Sequence, residues 1–126
     1  MGYTLSWSQL PFTRFTYVAV VKVLTEIGLK CRIEPWGFVV GEGDECVAIE
    51  RAPTQMTYVK TNRLPYTKDV MKTLIVMVEF GAAQDLDHDD SDMTAFLVAL
   101  DEVHAVRPLA TYEAQQDYFA SLSAST

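Results

Sequence analysis

The chain has 126 residues, 49% of them hydrophobic and 21% charged, and a formal net charge of −7. This is the length and composition of one globular domain and not of a disordered segment. The negative charge excludes the broad cationic footprint that displaces counterions from nucleic acid, and it disfavours an anionic membrane surface.

The first predicted strand is Tyr3–Ser8, where Tyr3, Leu5 and Trp7 alternate with Thr4, Ser6 and Ser8. Pro11 and Thr13 both suit a helix start, Pro in the first turn and Thr as N-cap. Tyr17, Val20, Val21, Leu24 and Ile27 then recur at helical spacing, and Gly28 suits the C-cap. The next strand turns Cys31 and Ile33 inward and Arg32 and Glu34 outward. Pro35–Gly37 bends it, and Phe38–Val40 resumes it. Gly41–Glu45 reads as a hairpin loop, Cys46–Arg51 as a strand with Val47 and Ile49 on one face, and Met56–Arg63 as the last strand. These short connections predict antiparallel neighbours in a meander.

A second helix follows from Pro65 and Thr67, with Val70, Met71, Leu74, Met77 and Val78 as its apolar stripe. Gly81 is its predicted stop, although Ala82 and Ala83 could extend it. After an acidic loop, Met93, Phe96, Leu97, Leu100 and Val103 share one face of a third helix that Pro108 ends. Asp90, Ser91 or Asp92 would cap it. Thr111 would cap a last helix through Leu122. The expected class is α+β, in the order β-α-β-β-β-α-α-α. An antiparallel sheet carries helices on one face and a helical C-terminal portion. The other sheet face would show Thr4, Ser6, Arg32, Glu34 and Lys60. One domain, 1–122, is expected, with 123–126 a flexible tail.

The first residues carry no basic stretch or apolar run of the signal-peptide kind, and no apolar stretch is long enough for a bilayer. "MGYTLS" meets the loose myristoylation pattern, but its strand-like alternation and the lack of a following basic cluster speak against it. Cys31 and Cys46 stand 15 residues apart without a CxxC pair. They are expected to be reduced and buried, which implies a cytoplasmic protein.

Charge is concentrated after residue 64. Residues 1–63 hold seven Lys/Arg and six Asp/Glu, and residues 64–126 hold three and eleven. The densest acidic stretch is "DLDHDDSD" at 85–92. Asp85, Asp87 and Asp89 match positions 1, 3 and 5 of a calcium loop, but Asp90 stands where Gly is needed and Phe96 where a bidentate Glu is needed. Metal binding there is therefore a minor expectation. Asp101 and His104 share a helical face and with His88 have the composition of a two-histidine, one-carboxylate site, without the spacing that would bring the histidines together. The cysteines lack a nearby base, "GEGDE" lacks the third glycine and the helix of a phosphate loop, and no G-x-S-x-G occurs. No cofactor is expected.

Arg51, Lys60 and Arg63, beside Tyr58 and Asn62, would form a basic patch if the last two strands pair. It could take an acidic partner, or the acidic helices of another copy. Trp7, Trp36, Tyr58, Phe12 and Phe15 read mainly as core aromatics, except Trp36, which a Pro-Trp-Gly turn would expose. The leading expectation is a non-catalytic protein that works by binding another protein. Its contact candidates are Trp36, Arg51, Tyr58, Lys60, Arg63, Asp85, Asp87, Asp89, Asp90 and Asp92, and self-association is a further expectation. One alternative is an acidic inhibitor of a nucleic-acid-binding enzyme whose carboxylates imitate phosphates. The other is a small enzyme or ligand-binding protein using His88 or His104 with nearby carboxylates.

Overall fold

Among the described residues, ten elements follow one another along the chain: β1 (Thr4–Gln9), α1 (Arg14–Glu26), β2 (Cys31–Glu34), β3 (Gly37–Glu42), β4 (Glu45–Glu50), β5 (Thr57–Lys60), α2 (Tyr66–Glu79), β6 (Ala83–His88), α3 (Thr94–Val106) and α4 (Tyr112–Ala124). The computed structural model describes residues 4–43, 45–51, 57–60, 66–89 and 93–124. The class is α+β with a helical C-terminal portion, as the sequence implies. The strand count and the sheet layout differ from expectation. β2, β3 and β4 form an antiparallel meander, while β5, β1 and β6 form a second antiparallel sheet with β1 in the centre.

Local chemistry explains most boundaries. The Thr13 hydroxyl accepts the Thr16 N–H and caps α1. At the other end Gly28 takes φ +96°, and the Gly28 and Leu29 N–H groups donate to Thr25 and Leu24 carbonyls, closing the helix in a Schellman motif. Gly81 ends α2 the same way, with Gly81 N–H on Val78 and Ala82 N–H on Met77. Ala82 and Ala83 therefore lead into a strand and do not prolong the helix. Pro35 and Trp36 form a two-residue turn between Glu34 and Gly37, so the expected bend is a hairpin that divides one predicted strand into two. Gly37 is required there, because a Cβ would run into the Ile49 carbonyl of the next strand.

One hydrophobic cluster joins both sheets and all four helices. At its centre is α2, where Val70, Met71 and the run Thr73–Met77 are all buried. This helix packs against β3, β4 and β6 and against α1 and α3. Burial all round is the signature of a central helix, and only its first turns keep a charged face. Lys68 and Lys72 there meet Glu102 of α3. Strand β3 is likewise buried on both sides through Gly37–Val40, whereas β4 alternates as expected, with Val47 and Ile49 inward. Ile33, expected inward, is exposed.

The C-terminal helices differ from expectation in their caps. The N-cap of α3 is Met93 and not one of the preceding polar residues; its N–H donates to the Ser123 hydroxyl in the last turn of α4. Ser123, expected in a tail, is thereby tied to the fold. Thr111 does lead α4, and its neighbourhood is fixed from α2. The Glu79 carboxylate accepts the Ala110 N–H, the Thr111 N–H and the Thr111 hydroxyl at 3.0, 2.9 and 2.6 Å. Partial burial alone would raise the Glu79 pKa. The three donors and the Arg107 charge outweigh it and hold the carboxyl below its ordinary 4.5. A depressed folded-state pKa gives stability that is present above the unfolded value and lost as pH falls through the folded one. Glu79→Gln is expected to cost about 1 kcal/mol at neutral pH, the usual loss for a helix-end acceptor. The gap from wild type should narrow as pH falls below the ordinary carboxylate value of 4.5 and through the lower folded-state pKa. Urea unfolding of both proteins at neutral and acid pH checks this.

Candidate functional site

Two of the expected contact residues come together at one end of the molecule. The Arg51 N–H donates to the Trp36 carbonyl at 3.0 Å, and the Arg51 carbonyl accepts the Phe12 N–H. Trp36 and Arg51, with Pro35 and Glu50, line an open depression of about 350 Å³. The turn that presents Trp36 is pinned to α1. Buried Tyr17 donates its hydroxyl to the Glu34 carbonyl at 3.0 Å, the Pro35 carbonyl lies at 3.4 Å, and the same oxygen accepts from Arg14. The Arg14 guanidinium also lies over the Tyr17 ring, and the Phe12 ring meets that ring edge-on.

Several large apolar side chains of the described residues face solvent. Trp36 is 41% exposed, as its turn implies, and Phe15 is 87% exposed. Leu10, Val18 and Ile33 are also exposed. The expectation that Phe15 belongs to the core is therefore wrong. The signal was present in the sequence: Phe15 lies two residues before Tyr17, about 200° around the helix from the buried stripe. No carboxylate pairs with the Arg51 guanidinium among the described residues. An exposed Trp beside an unpaired Arg is the composition that dominates binding energy at protein interfaces.

The basic patch is not assembled as expected. It required the last two strands to pair, and β4 and β5 lie in different sheets. Tyr58 and Lys60 are on β5, opposite Ser6 and Thr4 of β1. Arg63, Asp90 and Asp92 lie outside the described residues.

The acidic segment is not a loop through most of its length. Ala83–His88 is the strand β6, at the edge of its sheet. The pairing register with β1 shifts between Ser6–Asp87 and Ser8–Gln84, so two residues of β6, Asp85 and Leu86, oppose Trp7. Asp85 has φ +56°. This is a β-bulge whose first residue takes the left-handed conformation usually given to Gly, and Asp tolerates it better than most. The bulge brings Ala83, Leu86 and His88 to the core side and leaves Asp85, Asp87 and Asp89 exposed.

Charges along an edge strand discourage pairing with another chain, and two of these aspartates also bind main chain. Asp87 accepts the His88 N–H, and Asp89 accepts the Thr4 N–H, both at 2.8 Å. Among the described residues no group of three His, Cys, Asp or Glu side chains stands close enough to hold a metal ion, Asp85, Asp87 and Asp89 included.

The histidines serve packing. His88 is buried and meets the Phe96 ring edge-on. His104 Nδ1 accepts the Leu109 N–H at 2.9 Å, and its ring stacks on Tyr112 at 4.0 Å. The Tyr112 hydroxyl donates to Asp101. Asp101 and His104 do share a face, and together they clamp the start of α4. Phe96 and His104 stand two turns apart on α3, about 12 Å, so the two histidines are not brought to one site.

Burial first, and then the Asp69 charge, push the Cys31 thiol up to about 11, which leaves it protonated and unreactive at neutral pH. Cys46, expected to be buried, is exposed on β4. Both are free, and β3 lies between their strands, which puts them roughly 10 Å apart, beyond disulfide reach. No helix of the described residues is long and apolar enough to cross a membrane. No protein-family model matches the chain, and neither a curated protein nor a solved structure resembles it.

The bulge makes a direct prediction. Asp85→Asn and Asp85→Gly should stay within about 1 kcal/mol of wild type, since both accept positive φ. Asp85→Val should lose about 2 kcal/mol. Thermal or urea unfolding of the three variants separates them, and a harmless Val would contradict the left-handed residue.

Proposed function

We propose that this chain is a non-catalytic protein-binding domain that docks through the end carrying Leu10, Phe15, Trp36 and Arg51. The observation that carries this reading is the exposure of Phe15 on α1 and of Trp36 on a turn that Tyr17 anchors. Covering a Phe or a similar side chain contributes about 1.5–3 kcal/mol, so leaving several uncovered costs stability that a partner would restore. Tyr17 and Arg14 hold the turn in place before binding, which reduces the ordering cost on association. The negative C-terminal half steers orientation and association rate and adds little affinity of its own. A reducing, cytoplasmic setting belongs to this reading and is supported by two free cysteines.

A second reading, the phosphate-imitating inhibitor, draws support from the exposure of Asp85 and Asp87 on β6 and of Asp89 just beyond it. It is the weaker of the two, because Asp87 and Asp89 already accept main-chain hydrogen bonds that organise the strand.

The test uses the full chain as bait beside Phe15→Ser, Trp36→Ala and Asp87→Asn. Proteins retained by wild type and by Asp87→Asn, yet bound roughly 30-fold more weakly by the two aromatic variants, support the docking end. Retention lost only with Asp87→Asn favours the acidic strand and rejects the docking end. Light scattering over a range of concentrations identifies the case in which the partner is a second copy. A dimer abolished by Phe15→Ser would be that case, with the same surface at work.

A further inference from the structure

A second surface, which shares no residue with the docking end, has the features of a small-molecule site. Between the end of α2, the edge strand β6 and α4 lies a cavity of about 230 Å³. Leu86, Phe119 and Val78 make its walls apolar, and Asp85 and Tyr118 are also part of its lining. A volume on the order of 150 Å³ already holds a benzene ring, so this one takes a fused ring of about nine heavy atoms, with a short side chain left at its open mouth.

Gln115 gives the cavity a chemical demand. It is 4% exposed and is one of the three polar side chains buried among the described residues. Its Nε2 donates to the Ile75 carbonyl at 3.2 Å and to the Thr111 hydroxyl at 2.9 Å. The Thr111 hydroxyl gives its own proton to Glu79, so it must accept from Gln115. With a carbonyl as the other neighbour, the amide cannot be turned round. The Gln115 Oε1 is therefore fixed as an acceptor, and it is buried with no donor among the described residues. An acceptor left so costs about 1–3 kcal/mol. Gln115 lines the cavity but its Oε1 is closed to solvent, so a ligand N–H or O–H that displaces the lining enough to reach it would remove that cost.

The charge in this lining is negative. Asp85 has no cationic partner among the described residues, and its backbone is fixed by the bulge. The Tyr118 hydroxyl closes the open edge of β6 by donating to the Leu86 carbonyl at 3.1 Å. Its pKa is raised, by burial first and then by the charges of Asp85 and Asp87.

We propose that this cavity binds a small aromatic amine bearing a ring N–H, with the ring between Leu86 and Phe119, the ring N–H on Gln115 Oε1 and the ammonium on Asp85. The site is independent of the docking end, and its failure would leave that reading untouched.

The probe is tryptamine, followed by ¹H–¹⁵N NMR on the full chain through the Gln115 side-chain amide and the Leu86 and Tyr118 backbone amides. Saturable shifts at these three groups are expected. 2-(1-Naphthyl)ethylamine, which lacks the ring N–H, and indole-3-propionate, which lacks the cation, should each bind at least tenfold more weakly. Asp85→Asn keeps the positive-φ backbone and should weaken tryptamine about tenfold. Gln115→Met should abolish the preference for tryptamine over the naphthyl amine. Ala114→Leu, at an exposed helix position lining the cavity, should block both amines while leaving the spectrum of the fold intact. The absence of saturable shifts with tryptamine would overturn the proposal, as would undiminished binding to Ala114→Leu or equal binding of indole-3-propionate.

Discussion

The structure depends on the burial of α2. Seven of its residues between Val70 and Met77 are inaccessible or nearly so, and they meet strands of both sheets and two other helices. Neither three-stranded sheet has enough apolar surface of its own to stand alone, and the helix supplies a common wall for both. Its C-terminal turn then sets the remaining third of the chain. Gly81 reverses the direction into β6, and Glu79 gathers the donors that begin α4. Loss of that helix would release both sheets and the C-terminal pair together.

The same arrangement decides what is left for function. Among the described residues several titratable groups take part in packing: His88 against Phe96, and His104 and Asp101 around Tyr112. Trp36 is exposed on a turn that Tyr17 holds in place, and Phe15 is exposed on α1. The other candidate lies where α4 approaches the β6 edge and leaves the Gln115 oxygen unsatisfied. Both sites rest on elements fixed by the core, which suits recognition by preformed surfaces.

Much of the local architecture is legible in the sequence, because it is written in short-range chemistry. Thr13, Gly28 and Gly81 mark helix ends through capping and positive φ, and the α3 stripe Phe96, Leu100 and Val103 follows from helical spacing. Longer-range features are less visible. Short connections suggest a single meander, yet β5 leaves the meander to pair with β1, a long-range pairing that local spacing does not show. β6 is hidden twice, first by aspartates that resemble a loop in composition. The bulge at Asp85 also puts Ala83 on the same side as Leu86 and breaks the period of two. Of the candidate site, Trp36 was readable from its turn and Arg51 from its strand end. Phe15 could have been found from its angle on α1. Gln115 carried no signal, since an unsatisfied oxygen is visible only once its neighbours are placed.

Native-state hydrogen exchange tests the central claim most directly. If α2 is the common wall, the amides of Thr73–Met77, β3 and β1 should all exchange only through global unfolding, with the same free energy and the same denaturant dependence. Two sheets that open at different free energies, or α2 amides that exchange well before those of the strands, would contradict it.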